Sequence, residues 1–115
     1  MNNRQKGAVG EQQALDYLTK KGYQFIEKNW HYSKNAELDL IMKDDDTLVF
    51  IEVKKRSSLD YGHPFEAITK NKMQNIKLAV QAYLAQKKET LKFKNFRIDG
   101  IAIINEQIEH LENIY

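Results

Sequence analysis

Two short apolar runs separated by three consecutive aspartates set the terms on which this chain can fold. Residues Ala36 to Met42 read as one strand and Thr47 to Lys54 as the next, with Asp44-Asp45-Asp46 as a turn that stays in water. Each run carries charge where burial would exclude it: Glu37 and Asp39 in the first, Glu52 in the second, and Lys54 two residues beyond Glu52. Side chains alternate faces along a strand, so Glu52 and Lys54 point the same way. A turn that closes with Met42 near Thr47 sets Asp39 across from Phe50 and brings Asp39, Glu52 and Lys54 to one face. The two acids are then diagonal neighbours, roughly 7–8 Å apart by backbone and within side-chain reach of a shared ion. Two carboxylates and one ammonium at a point are the minimal set for holding Mg²⁺ and cleaving a phosphodiester. The same pattern also describes a solvated sheet face whose Glu–Lys pair is worth little. The residues alone divide evenly between the two. Leu48 and Phe50 lie on the carboxylate face, and Val49, Ile51 and Val53 on the other. The sheet should therefore be covered on both sides near its middle, with its charges at the ends, where a cleft forms.

The rest of the chain supplies the cover. A first helix is expected from Arg4 to Lys21, with Glu11, Ala14, Leu15 and Leu18 on one stripe and Gly22 as its stop. Glu11 is the anomaly in that stripe and needs either a place at the rim of the core or a partner. Tyr23 to Tyr32 reads as an aromatic-rich strand, in which Trp30 suits the core better than it suits stacking on bases. A polar loop is expected over Lys55–Pro64, and a second helix from Phe65 to Lys87 with Ile76, Ala79, Val80, Tyr83 and Leu84 as its apolar face. Phe96–Ile104 is a strand buried on both faces, and Gln107–Tyr115 a last, edge strand. The order α-β-β-β-α-β-β implies an α/β fold, a central mixed sheet flanked by helices.

At 115 residues the chain makes one domain, 1–115. It has no cysteine, which excludes disulfides and thiolate metal sites, and His31, His63 and His110 fit no zinc-ligand spacing. A net charge of +2 permits nucleic-acid binding without arguing for it. Gly7 and Gly10 lie within the first helix and follow no strand, so they fit no nucleotide-binding fingerprint. No apolar run approaches the ~18 residues of a membrane span and the N-terminus lacks a signal region, so the expected location is the cytoplasm.

A longer series of residues carries a family resemblance. It runs Gly7-x-x-Gly10-Glu11-x-x-Ala14-x-x-Tyr17-Leu18, Gly22-Tyr23, Asn29-Trp30, Glu37-Leu38-Asp39-Leu40-Ile41, Phe50-Ile51-Glu52-Val53-Lys54-x-Arg56, Lys72, Ala79 with Tyr83-Leu84, and Arg97-x-Asp99. In these blocks the chain resembles the YraN-like family of predicted endonucleases, within the PD-(D/E)xK superfamily of restriction endonucleases and Holliday-junction resolvases. The resemblance implies a restriction-endonuclease-like fold and a Mg²⁺-dependent endonuclease (Mn²⁺ as the alternative ion) acting on DNA, on structured or branched substrates in repair or recombination. Asp39 and Glu52 then correspond to the metal-binding acids, joined by the backbone carbonyl of Val53. Lys54 corresponds to the catalytic lysine and Glu11 to a helical acid that assists. Lys55, Arg56, Lys70 and Lys72 are expected to grip the DNA backbone. The family usually has glycine where this chain has Ala36. A homodimer through the final edge strand would suit a two-strand cut. The alternative is a non-catalytic nucleic-acid-binding module of a DNA-processing complex.

Overall fold

The computed structural model describes residues 2–58 and 62–115. Helix α1, Asn3–Lys20, opens on a capping box in which the Asn2 side chain accepts from the Gln5 amide and the Gln5 side chain accepts from the Asn2 amide. It closes where Gly22 turns to φ +97°. The Tyr23 amide there reaches the Leu18 carbonyl at 3.1 Å and the Gly22 amide the Thr19 carbonyl at 3.0 Å. That paired closure satisfies two carbonyls the helix cannot use itself. Its buried line is Gly10, Ala14 and Leu18, and Glu11 sits beside it, half-buried at the rim.

Five strands follow: β1 Gln24–Ser33, β2 Ala36–Asp44, β3 Thr47–Arg56, β4 Asn95–Ile104 and β5 Gln107–Leu111, and they lie side by side in chain order. All neighbours are antiparallel except β3 and β4, which run parallel because helix α2, Lys70–Lys87, carries the chain back between them. One face packs Leu48 and Phe50 against Ile76, Ala79, Val80 and Tyr83 of α2. The other packs Val49, Ile51, Ile101 and Ile103 against Ala14 and Leu18 of α1. Trp30 belongs to the α2 side and meets the Tyr83 ring edge-on at 5.2 Å, which bears out its reading as a core residue. The mixed sheet between two helices is the α/β arrangement expected from the sequence.

Several boundaries differ from expectation. The β2–β3 turn is tighter: Asp44 pairs with Thr47 and Met42 with Val49, with Asp45 at φ +51°. The register is therefore shifted by two residues, and because the side-chain period is two, the faces are unchanged. The second helix does not start at Phe65. A short 3₁₀ turn, Pro64–Ala67, comes first, and Thr69 caps α2 by accepting from the Lys72 amide at 3.1 Å. Of the loop expected over Lys55–Pro64, Lys55 and Arg56 instead extend β3, and Leu59, Asp60 and Tyr61 lie outside the described residues. Strand β5 ends at Leu111, with Asn113 at φ +54° as the chain leaves the sheet. Among the described residues no helix is long and apolar enough to cross a membrane.

Candidate active site

The site lies in a fork of the sheet. The β2–β3 ladder runs from Asp44 and Thr47 to Leu40 and Ile51 and then stops. Beyond that point β2 stays with β1 and β3 stays with β4. In the opening, the Asp39 carboxylate takes the place of a ladder partner, accepting from the Val53 amide at 3.0 Å. The side-chain alternation of β2 slips at the same spot. Leu38 and Ile41 both pack on the α2 side, whereas Leu40 and Met42 pack on the α1 side. The neighbouring strand is irregular there too, since Asn29 sits at φ +54° between the pairs Lys28–Leu40 and Trp30–Leu38. Left-handed backbone is tolerated best by glycine and asparagine, so Asn29 suits this bend. The slip lets Asp39 feel groups from both layers, Glu11 of α1 and Lys72 of α2.

Glu52 is the deepest member, only 3% exposed, and its sole ion-pair partner among the described residues is Lys72, whose Nζ stands 3.7 Å away. Its burial has a visible cause. Glu52 pairs with Gly100 across β3–β4, and a Cβ built on Gly100 would come within 2.7 Å of the Phe65 ring. The glycine thus lets the aromatic ring of the 3₁₀ turn close down on the strand beside Glu52. Desolvation, and then the nearby Asp39 charge, push the Glu52 carboxyl up to about 8, against the opposing pull of Lys72 and Lys54. Asp39 is raised as well, by burial first, with the Val53 amide, Lys72 and Lys54 pulling the other way. Glu11 is raised by burial and by Asp39, with Asn29 and Lys28 opposing. Glu37, half-exposed and 3.3 Å from the His31 ring, adds negative charge to all three.

The structure therefore brings together Glu11, Asp39, Glu52, Lys54 and the backbone of Val53. It adds two groups that the sequence reading left out of the active centre, Glu37 and Lys72. Lys72, expected on the DNA backbone, instead reaches back to Glu52, because the Thr69 cap places it on the first turn of α2 facing the sheet. The basic residues expected to act together are dispersed. Lys55 donates to Gln13 at 2.6 Å and pairs with Glu106 at 3.0 Å on the α1 side. Lys70 lines a separate cavity with His63 and Phe65, and Arg56 is exposed at the end of β3. Ala36 stands 1% exposed in the α2-side core, so its methyl is accommodated there.

Among the described residues no three His, Cys, Asp or Glu side chains stand close enough to hold a metal by themselves. What the fork offers is a buried carboxylate, Glu52, and a half-buried one, Asp39, both short of donors, beside strand backbone. That all-oxygen set fits a hard divalent cation whose remaining ligands are water and main-chain carbonyls.

A second buried carboxylate lies on β4. Asp99 is fully buried; it accepts from Arg97 Nε at 3.0 Å, from His110 Nε2 at 2.8 Å and from the Asn113 amide at 3.0 Å. Lys21 Nζ lies 3.0 Å from His110 Nδ1, and as an ammonium only donates, Nε2 is the nitrogen that carries the proton to Asp99. Arg97 also donates to the Tyr23 hydroxyl at 2.6 Å. Burial alone would raise the Asp99 carboxyl, but the His110, Asn113 and Arg97 contacts outweigh it and hold it below the ordinary range.

These features define an α/β protein with a mixed five-stranded sheet between helices and a buried acid–lysine cluster at a fork in that sheet. The chain belongs to the uncharacterised protein family UPF0102, whose model matches residues 10–103. A UPF0102 protein of Persephonella marina is 38% identical over 96% of this chain and 92% of its own length. One of Syntrophomonas wolfei is 40% identical over 98% and 99%, and one of Dictyoglomus thermophilum 40% over 90% and 86%.

Proposed function

We propose that the chain is a divalent-metal-dependent endonuclease that hydrolyses DNA phosphodiester bonds on a restriction-endonuclease-like fold. The observation that carries the reading is the Asp39–Glu52 pair. Glu52 is buried and Asp39 half-buried, both are pushed toward protonation, and two lysines flank them. A protein has no structural use for such a pair, since burying under-partnered acids costs stability. A cation that neutralises both acids repays the cost.

Asp39, Glu52 and the Val53 carbonyl would hold Mg²⁺, or Mn²⁺ in its place. When bound, the ion supplies a Lewis acid and lowers the pKa of water beside it. The Val53 amide fixes the Asp39 carboxylate, so that acid is oriented in advance. Lys54 steadies the negative charge that grows on the phosphate oxygens. Lys72 balances Glu52 in the absence of substrate, and Glu11 orients water at the Asp39 side. Binding DNA in repair or recombination, assembly as a homodimer at the exposed β5 edge and a cytoplasmic location complete the reading.

The test is Mg²⁺- and Mn²⁺-dependent cleavage of labelled duplex, single-stranded, flap and four-way-junction DNA. Glu52→Gln and Asp39→Asn should each lower the rate at least about a hundredfold with the fold intact by circular dichroism. Wild-type turnover retained in either variant would overturn the assignment. Binding without cleavage of any substrate would favour the non-catalytic module instead.

A further inference from the structure

A groove of about 650 Å³ opens beside the acid cluster, between the first turns of α1 and the end of β3. Asn3, Lys6, Gly7 and Val9 line one wall and Lys54 and Arg56 the other; the one acid in the lining, Glu106, is paired with Lys55. Lys54 joins the groove to the site, for it lies near enough to Asp39 and Glu52 to favour their charged forms. Lys6 and Arg56 are exposed, and among the described residues their side chains make no hydrogen bond or ion pair. The α1 terminus is closed by its own capping box, so the positive character of the groove comes from these side chains.

The two glycines of α1 separate cleanly. A Cβ on Gly10 would stand 3.5 Å from Lys55 Cβ and 3.7 Å from Val53 Cγ1, so Gly10 lies at the helix–strand contact. A Cβ on Gly7 would meet nothing within 4 Å. Glycine inside a helix costs stability relative to alanine, and nothing inside the protein compensates for it here. Gly7 faces the groove, where a bare helix backbone permits close approach by whatever lies in it. Val9, 39% exposed, adds an apolar patch to the same wall.

We propose that this groove seats the sugar-phosphate backbone of one DNA strand leading into the site. Lys6 and Arg56 pair with its phosphates, a deoxyribose rests on Val9, and the strand lies against α1 at Gly7. The choice of DNA as the occupant rests on the nuclease reading. The location rests on the groove itself.

The experiment is fluorescence anisotropy of labelled single-stranded and duplex DNA in EDTA, where cleavage is blocked, over a range of salt. Lys6→Glu and Arg56→Glu should each weaken binding at least about tenfold and flatten its salt dependence. Gly7→Gln should weaken it about fivefold or more while leaving the melting temperature equal or higher, a combination that a merely structural glycine would not give. Lys92→Glu, in a separate cavity near the start of β3, should change affinity less than twofold. Groove variants that bind like the wild type, a wild type that binds no DNA, or tight binding of RNA alone would each overturn the proposal. Cleavage with Mg²⁺ is scored separately. Groove-dependent binding without cleavage leaves this inference standing and removes the nuclease reading; cleavage unaffected by the groove variants does the reverse.

Discussion

Glu52 and Asp99 are both buried carboxylates, on adjacent parallel strands, and they behave in opposite ways. Asp99 is surrounded by an arginine, a histidine and a backbone amide, and its acidity is strengthened despite full burial. Glu52 has one lysine at 3.7 Å and a neighbouring acid, and its carboxyl is pushed up to about 8. Neither side chain is open to solvent, and the donors around Asp99, which Glu52 lacks, set the direction of the Asp99 shift. A saturated acid ties strands together. An unsaturated one holds its proton until something positive arrives.

The comparison can be broken most sharply at Asp99. Asp99→Ala leaves Arg97 without its main partner, and urea unfolding should show a loss of about 3–5 kcal/mol; a loss below about 1 kcal/mol would mean that the network is ornamental. Glu52→Gln should act in the other direction. An acid whose folded pKa is raised gives stability that is complete below its unfolded value and is lost as pH rises through the folded one. Between pH 5 and 8 the wild type should therefore fall behind Glu52→Gln by about 2–4 kcal/mol. The Asp99 contribution has the opposite slope, present above its ordinary pKa of 3.8 and lost as the solution becomes strongly acidic.

The proposed Mg²⁺ site would sharpen the contrast further. Binding there would have to expel the Glu52 proton, so below pH 8 the affinity should rise by up to about tenfold per pH unit. Calorimetry in two buffers of different ionisation enthalpy should detect that release, and Glu52→Gln should abolish it. The smallest effect is expected from Gly100→Ala, which forces the Phe65 ring away from β4. Stability should fall by about 1 kcal/mol, and in a carboxyl NMR titration the Glu52 pKa should move back toward 4.5 as water reaches it.

The acids of the site were legible in the sequence because a two-residue error in register leaves every side chain on its face. Asp39, Glu52 and Lys54 stay together whether the turn spans Lys43–Asp46 or only Asp45 and Asp46. Lys72 was legible as a residue that would meet DNA, but not as the partner of Glu52. Its contact depends on α2 starting at Thr69, and Pro64 offers an equally good helix start several residues earlier. The Asp99–His110 contact had a readable signal that went unused. A turn at Asn105-Glu106 pairs Ile104 with Gln107 and hence Ile101 with His110, which leaves Asp99 diagonal to the imidazole on the same face. The slip at Asp39 had no local signal, since alternation along β2 looks regular until both helices are in place.

Strand β3 joins an antiparallel hairpin partner, close in sequence, to a parallel partner that arrives only after α2 has been made. Loop-closure entropy favours the local pairing first. Until β4 docks, Gly100 and the Phe65 ring that packs on it are not assembled beside Glu52. The burial of Glu52 is thus completed by a strand distant in sequence and not by its hairpin partner. A chain halted before that step would carry the complete acid and lysine set without the cover that Gly100 and Phe65 bring to the side of Glu52.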